Sequence, residues 1–403
     1  MFTVPIKVCC KPLLALCTAL LLLLSIPSLA IDKVTSSTPI SLLTPSRAFA
    51  DSALLDIGLL PLADGLELVD QDEPVFPEVR MAETIYFVNQ LGKMLERSGA
   101  WGAVRVVASE TMAVDLIITG KVISSNGEEL ELQISARDSA GEIWLDKNYR
   151  QVVGKYAYDR RLKKLRDPFH NLFTEIANDL LSVRETYTDK QAARLQTITA
   201  LRFAQEFAPQ ALQGYLQQDS NGLWRITKLP AENDPLMVRI DKIRQRDYLY
   251  IDTMQDYYDQ FSVQMHEPYQ SYRASSYSAV VQARQLNSKA TRQMISGIGA
   301  IIAGIYGRYE GGGSNTTRAI STVGAGFGGL AVRNSLATRE KAAAANESVA
   351  EMGASLGAEI APQQIELEDR TITLSGSVDA QYQQWKGLLR EIYQRERALP
   401  STP

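Results

Sequence analysis

Two glycine-containing motifs raise the question of what chemistry this sequence could carry. Residues 353–357, GASLG, match the G-x-S-x-G motif, which presents a nucleophilic serine on a sharp turn between a strand and a helix. That chemistry needs a histidine base later in the chain, but no histidine follows His266. The surrounding Ala- and Glu-rich residues also predict a helix and not a strand with a turn. A serine hydrolase is therefore not expected.

Residues 324–329 match the G-x-G-x-x-G fingerprint, whose glycines let the backbone approach the phosphates of a dinucleotide. Ala319–Val323 fits the strand that precedes such a motif. The fingerprint also requires a second strand that ends in an acidic residue about 20 positions later. Residues 338–351, TREKAAAANESVAE, predict a helix at that place. We therefore expect no bound dinucleotide, and no pattern in the chain predicts another cofactor.

Metal and thiol chemistry are also disfavoured by the composition. The two histidines, His170 and His266, are far apart in sequence, and neither has a second ligand at a spacing typical of zinc sites. All three cysteines, Cys9, Cys10 and Cys17, lie near the amino terminus. We predict that the protein is not an enzyme. One alternative is a glycan hydrolase of the cell envelope that uses paired carboxylates near a tyrosine-rich helix.

The first residues resemble an export signal. Lys7 and Lys11 precede a long uncharged stretch, and Ser28-Leu29-Ala30 places small residues where signal peptidase cleaves. Residues 1–30 are therefore predicted to be a signal peptide, with cleavage after Ala50 or an uncleaved membrane anchor as alternatives. We expect an exported protein of the periplasm or the outer membrane. The net charge of −4 gives no general attraction to nucleic acid.

Residues 54–153 predict a small α/β domain. Leu54–Leu62 is an apolar run suited to a buried strand, Val79–Leu95 has apolar residues at helical spacing, and Val104–Val107 predicts a second strand. A three-stranded meander should follow, because the hairpin signals Asn126-Gly127 and Asp138–Gly141 separate three further runs. These runs are Leu116–Val122, Leu130–Arg137 and Ile143–Tyr149.

The order of strand, helix, strand and meander, with the segments DIGLLPL, LERSGAWGAVRVV and DLIITGKV, resembles a group of bacterial envelope domains. The group includes the amino-terminal domain of the Tol-Pal translocation protein, the curli-secretion-channel family and the lipoprotein activators of penicillin-binding proteins. The resemblance covers about residues 54–153. It implies a periplasmic binding or assembly unit without an active site.

Residues 160–293 predict a helical region. Phe169–Leu181 carries apolar residues at every position that an amphipathic helix requires. Shorter helices are expected near residues 189–207 and 209–218, and Leu223–Leu229 predicts a short strand.

The longest regular pattern is a heptad seam in residues 236–265, which predicts one long helix packed against another long helix. Pro268 should end this helix, and a second helix should begin near Tyr269. Seven of the 17 tyrosines fall between Tyr248 and Tyr277. We interpret them as a helical interface, with a carbohydrate-stacking surface as the alternative. The seam consists of Leu236, Ile240, Ile243, Asp247, Tyr250, Met254, Tyr257 and Phe261.

Residues 294–332 are unusually rich in glycine and predict a helical hairpin of the glycine-zipper type. Small residues recur every four positions, so they lie on one helix face and let a partner backbone approach closely. Each uncharged arm is shorter than the ~20 residues that span a membrane, so close packing is favoured over a simple transmembrane hairpin. The predicted contact residues are Gly299, Ala303, Gly307, Gly324 and Gly328.

The remaining chain predicts a helix over residues 333–361, followed by a β-hairpin and a helix over residues 364–398. The expected fold is α+β and multi-domain, with a small amino-terminal α/β domain, a long-helix region that contains the glycine-rich hairpin, and a carboxy-terminal β-hairpin plus helix. The expected function is binding, assembly or scaffolding, with an unidentified envelope protein, a second copy or a membrane as partner. A pore-forming protein is a further alternative.

Overall fold

The computed structural model describes residues 35, 38–68, 75–110, 113–154, 156–159, 167–285, 348–352, 354, 363–367, 370–375 and 378–398. The predicted signal peptide at residues 1–30 and the predicted hairpin at residues 294–332 lie outside these residues. Of the helix predicted at residues 333–361, residues 348–352 and 354 are described and are helical. Helices combine with a mixed five-stranded sheet, so the predicted α+β class is confirmed.

The sheet has the strand order β2-β1-β3-β4-β5. Its first three strands by position are parallel, since Ile57 of β1 lies opposite both Val104 of β2 and Leu116 of β3. The predicted meander forms the antiparallel half of the sheet. The strands are β1 (Ile57–Leu59), β2 (Val104–Val106), β3 (Leu116–Ser125), β4 (Glu129–Asp138) and β5 (Ile143–Val152).

Two predicted turns set the register of the meander. Gly127 and Gly141 have φ values of 83° and 98°, in the left-handed region that glycine adopts without strain. The side chain of Asn126 accepts hydrogen bonds from the amides of Glu128 and Glu129, and these bonds close the first turn. Alternate residues of β4 are buried, as the apolar-polar alternation in its sequence predicts.

Helix α1 (Pro77–Ser98) and helix α2 (His170–Thr186) pack side by side, and α2 also packs against β5. Pro77 begins α1, where the missing amide costs no helical hydrogen bond. Gly99 ends it with a φ of 67°, and its amide donates to the Glu96 carbonyl at 3.1 Å. The apolar faces of both helices and the inner residues of the sheet form the first hydrophobic core.

Helix α3 (Asp189–Phe207) begins with a capping box between Thr188 and Gln191. The helix predicted at residues 209–218 is wrong, since turns occupy its first part and strand β6 (Leu216–Gln218) its last. Strand β6 pairs with β7 (Trp224–Ile226), as expected for the predicted short strand. Two features favour the hairpin over a helix. Gly214 has a φ of 80°, and the side chain of Asp219 accepts hydrogen bonds from two amides of the following turn.

Helix α4 (Pro235–Gln285) has 51 residues and is therefore about 75 Å long at 1.5 Å per residue. The predicted end at Pro268 is wrong, because the helix continues through this proline. Packing explains the difference. Met265, Tyr269 and Arg273, on both sides of Pro268, are at most 1% exposed against the α/β half of the molecule. Their burial outweighs the lost hydrogen bond.

Replacing Pro268 by alanine is expected to raise the free energy of unfolding by about 1–2 kcal/mol. Alanine restores the amide that Pro268 lacks inside α4, and the greater freedom of the unfolded chain offsets only part of the gain. Urea unfolding measures the change. The matched control is Pro235→Ala at the first position of α4, which should not be stabilising because proline is suited to a first turn. Equal stability of the Pro268→Ala variant and the parent would contradict this expectation.

A second hydrophobic core forms where α3 and the amino-terminal half of α4 meet the end of the chain. Strands β8 (Gln363–Leu367) and β9 (Arg370–Leu374) make the predicted carboxy-terminal hairpin. Helix α5 (Val378–Ala398) follows and buries Tyr382, Trp385 and Leu389 against α4. Helix α4 therefore contributes to both cores.

The heptad seam of α4 faces inward, and among the described residues it packs against several shorter helices and not against one helix of its own length. The helix instead contacts α1, α3, α5 and the edge strand β2. Along this edge, the Val106 amide donates to Gln255 at 2.6 Å and Arg105 donates to Asp252 at 2.6 Å. The side chain of Gln255 thus satisfies a backbone amide of β2 that a sixth strand would otherwise pair with.

Candidate functional site: buried polar contacts along the long helix

The residues predicted to make close helix contacts lie outside the described part of the chain, and the motif at residues 324–329 lies there with them. They are Gly299, Ala303, Gly307, Gly324 and Gly328. Of residues 353–357, Ala354 is described and is helical, as the sequence predicts for a segment that does not form a nucleophile turn.

The two histidines lie on separate helices. His170 is the first residue of α2. His266 lies on α4, and its Nδ1 is 2.9 Å from the hydroxyl oxygen of Tyr86 on α1. Among the residues that the structure describes, no group of three or more His, Cys, Asp and Glu side chains is placed to hold a metal ion.

A buried carboxylate joins α1, β3 and α4. Glu83 is 1% exposed and accepts hydrogen bonds from the Tyr269 hydroxyl at 2.6 Å and the Ser125 hydroxyl at 2.7 Å. The guanidinium of Arg80, one helical turn earlier, lies 3.0 Å from its second oxygen. Burial raises the pKa of Glu83, and Arg80 with the two hydroxyl donors opposes this effect. Each carboxylate oxygen therefore has a structural partner.

A second buried ion pair holds the carboxy-terminal part of α4. The Arg273 side chain is 1% exposed and its guanidinium donates to both oxygens of Asp167, just before α2. The side chain of Gln270 donates to the same carboxylate at 2.7 Å. Burial alone would raise the pKa of Asp167, but the charge and hydrogen bonds of Arg273 bring it below its usual value. Asp167 is therefore ionised at neutral pH.

The backbone of α4 passes so close to the β3–β4 turn that only glycine fits at position 127. A Cβ there would lie 2.4 Å from the Arg273 carbonyl oxygen and 2.8 Å from the Tyr277 amide nitrogen. The Ser276 hydroxyl donates to the Asn126 carbonyl at 2.7 Å in the same contact. Turn geometry and helix packing thus both require Gly127.

A third buried carboxylate lies in the second core. Asp247 is 1% exposed and interrupts the apolar seam of α4. Trp385 of α5 donates to it at 3.2 Å, and the Tyr382 hydroxyl lies at 3.5 Å. Burial raises the pKa of Asp247 to about 6, an effect that nearby Lys386 opposes. The Lys386 ammonium itself lies 2.7 Å from Glu206 of α3.

The sheet contains a fourth buried carboxylate, at the amino ends of the parallel strands. Asp115 accepts the amide of Asp56 at 2.9 Å and the Thr199 hydroxyl of α3 at 2.6 Å. Burial raises the pKa of Asp115 to about 6, and the two donors oppose the shift. Asp56 in turn accepts the Ala103 amide at 2.8 Å. These carboxylates link the ends of β1, β2 and β3 to α3.

Carboxyl groups with raised pKa values are able to act as general acids, but only where a substrate can reach them. Glu83, Asp115 and Asp247 are at most 4% exposed, so the surrounding side chains separate them from solvent in this structure. A recess lined by Tyr250, Tyr382 and apolar neighbours has a volume of ≈ 10 Å³, which is room for about one water molecule. The geometry therefore assigns these carboxylates to fastening helices and strands.

The seven tyrosines of α4 face the rest of the molecule. Four are buried and three are half-buried, so none presents a fully exposed ring. The rings pair across the helix contacts, for example Tyr269 edge-to-face with Tyr86 and Tyr250 stacked on Trp385. This burial supports the interface interpretation over a carbohydrate-stacking surface.

Glu83, Asp167 and Arg273 were not recognised from the sequence. Glu83 lies four positions after buried Val79, and Arg273 lies four positions after buried Tyr269 on the same helix. A charged residue on the apolar face of a helix was therefore the signal that could have identified them. The same signal did mark Asp247. No such signal identified Asp167, because it precedes the first residue of α2 and so lies on no helix face.

In the described residues no helix has the length and hydropathy of a membrane span. Comparisons of the chain with protein families, with curated proteins and with solved structures find no match.

Proposed function

We propose that the chain is an exported, non-enzymatic protein of the cell envelope that acts as a binding or assembly module. Its glycine-rich segment, residues 294–332, would mediate self-association or contact with a membrane. The observation that carries the proposal is the way α4 is fastened. Its two halves are held in two hydrophobic cores, and its last described residue, Gln285, precedes the segment by nine positions.

The polar contacts of α4 support a scaffold role. Arg273 and Asp247 anchor its two halves from inside the molecule, and Gln255 binds the sheet edge between them. These side chains are used to hold the helix in place, which is what a protein needs when it presents an adjoining segment to a partner. The resemblance of residues 54–153 to periplasmic binding and assembly domains supports the same role.

The small residues predicted to form the contact, Gly299, Ala303, Gly307, Gly324 and Gly328, would act by close packing and not by chemistry. Replacing Gly299 and Gly324 together by leucine should block the approach of a partner backbone. The expected result is a lower sedimentation mass of the purified full chain, or its loss from the membrane fraction of cells. The matched control is Gly312→Leu, in the polar turn between the two arms.

Unchanged mass and unchanged fractionation of the double variant would refute the contact role of these glycines. The same purified protein can be mixed with dye-filled liposomes. Dye release that the double variant lacks would favour the pore-forming alternative over a scaffold.

A further inference from the structure

An extended segment that precedes the α/β domain is attached to it at several points. We call residue 35 and residues 38–50 the clasp. The Thr35 amide and hydroxyl donate to the Val152 carbonyl at 3.1 Å and 2.8 Å, and the same hydroxyl accepts the Val152 amide at 3.1 Å. Val152 is the last residue of β5, an edge strand of the sheet. The clasp thus satisfies backbone groups at the end of this edge.

Two asparagines of α2 hold the middle of the clasp. Asn171 and Asn178 lie two turns apart on one helix face, and each accepts one clasp amide and donates to one clasp carbonyl, as a neighbouring strand would. Leu42 is half-buried and packs against the first core. The four bonds, at 2.9–3.0 Å, involve the amides of Ile40 and Leu43 and the carbonyls of Thr38 and Ser41.

The last part of the clasp covers a buried arginine. The guanidinium of Arg184 lies 3.9 Å from the ring centre of Phe49 and donates to the Ala53 carbonyl at 2.8 Å. Phe49 packs against the first core, and Arg47 pairs with Asp189 at the start of α3 at 2.9 Å. Loss of Phe49 would therefore remove the cation–π contact of Arg184 and uncover part of the core.

These contacts distinguish the two cleavage sites that the sequence offers. Cleavage after Ala50 would detach the clasp and break every contact described above. Cleavage after Ala30 keeps all of them and leaves residues 31–34 ahead of Thr35. The folded chain also closes the second site, because Phe49 packs on the core and the Ala50 carbonyl accepts the Ala53 amide at 2.8 Å. Burial and hydrogen bonding of the affected backbone thus favour the first site.

We propose that the export signal is cleaved after Ala30 and that the clasp remains in the mature protein as a structural part, which fastens β5, α2 and α3 to one another. Cleavage is the hydrolysis of the bond between Ala30 and Ile31 by a signal peptidase. The water that it consumes leaves a carboxyl group on Ala30 and an amino group on Ile31. The inference rests on export of the chain, which belongs to the proposed function.

The amino-terminal sequence of the protein, purified from a bacterial host that exports it, tests the cleavage. The parent should begin at Ile31. Two matched variants of the full chain place leucine at the third and first positions before each site, where signal peptidase requires small residues. Ser28→Leu/Ala30→Leu should stay uncleaved, whereas Ala48→Leu/Ala50→Leu, at two exposed positions, should begin at Ile31 like the parent.

The possible failures are distinguishable. A parent that begins at Asp51 would overturn the inference and leave export intact, as would loss of cleavage in Ala48→Leu/Ala50→Leu. An uncleaved parent in the membrane fraction would overturn the inference in favour of an anchor. An uncleaved parent in the cytoplasm would refute export, and the proposed function with it.

Limited digestion of the mature protein with trypsin tests whether the clasp is held. The bond after Arg47 should be cut slowly in the parent and about tenfold faster in Asn171→Ala/Asn178→Ala, because local opening of the clasp then costs less free energy. Cutting after Arg137, inside β4, reports opening of the sheet and should be unchanged. Mass spectrometry follows both products. Equal rates after Arg47 in parent and variant would show that the two asparagines do not hold the clasp and would overturn its structural role.

Discussion

Replacing Arg273 by methionine is expected to lower the free energy of unfolding by about 3–5 kcal/mol, the usual cost of removing one partner from a buried ion pair. Methionine fills much of the same volume but leaves the carboxylate of Asp167 without its counter-ion in a site where it is 10% exposed. The variant also loses the contacts of the guanidinium with the rings of Tyr269 and Phe169. Urea unfolding at pH 7 measures the loss.

The control for this experiment is Arg244→Met on the same helix. Arg244 pairs with Asp241 one turn away, and the two side chains are 26% and 45% exposed, so the loss should stay below about 1 kcal/mol. Double replacement of Arg273 and Asp167 by Met and Asn should recover part of the stability, since no charge is left buried. Equal losses for Arg273→Met and Arg244→Met would show that the buried pair does not fasten α4.

Replacing Asp247 by asparagine is expected to raise the free energy of unfolding at pH 7.5 by about 2 kcal/mol. The folded-state pKa of Asp247 is about 6 against an ordinary value of 3.8, so the folded protein binds this proton more tightly than the unfolded chain does. The resulting penalty is absent below about pH 3, grows as the pH rises through the two pKa values and is complete above about pH 7. Asparagine carries no charge and can still accept the Trp385 hydrogen bond.

The pH dependence distinguishes this effect from a general change in packing. The gain of Asp247→Asn should be small near pH 4 and vanish near pH 3, where the parent carboxyl is protonated in both states. Asp241→Asn, at a half-buried position on the same helix, should change stability by less than about 0.5 kcal/mol at either pH. A gain of the same size at pH 4 and pH 7.5 would mean that the charge of Asp247 is not the cause.

The sequence predicted those parts of the fold that depend on neighbouring residues. Gly127 and Gly141 mark the turns of the meander, and the alternation in β4 marks its buried face. The predictions failed where interactions between residues distant in sequence determine the structure. Pro268 should end a helix by its local chemistry, but Met265 and Tyr269 gain enough from packing on α1 and the sheet to continue it.

The polar contacts were predictable only where they broke a pattern. Asp247 stood out because it occupies a seam position between Ile243 and Tyr250. Asn171 and Asn178 gave no such signal, because polar residues seven apart on a helix are what any solvent-exposed face shows. They donate to the carbonyls of Thr38 and Ser41, more than 100 residues away in sequence, and no local rule connects the two segments.

The contact between α4 and β2 has a consequence for the order in which the protein folds. The edge of the sheet is covered by Asp252 and Gln255, which follow Arg105 and Val106 by 147 and 149 residues. A chain that emerges from its amino terminus forms β2 long before it has made the helix that shields it. Pairings of such long sequence separation form slowly, and the uncovered edge is open to other strands in the meantime. We therefore expect docking of α4 to be a late event in folding, and variants that weaken it to aggregate during refolding even when the finished protein is stable.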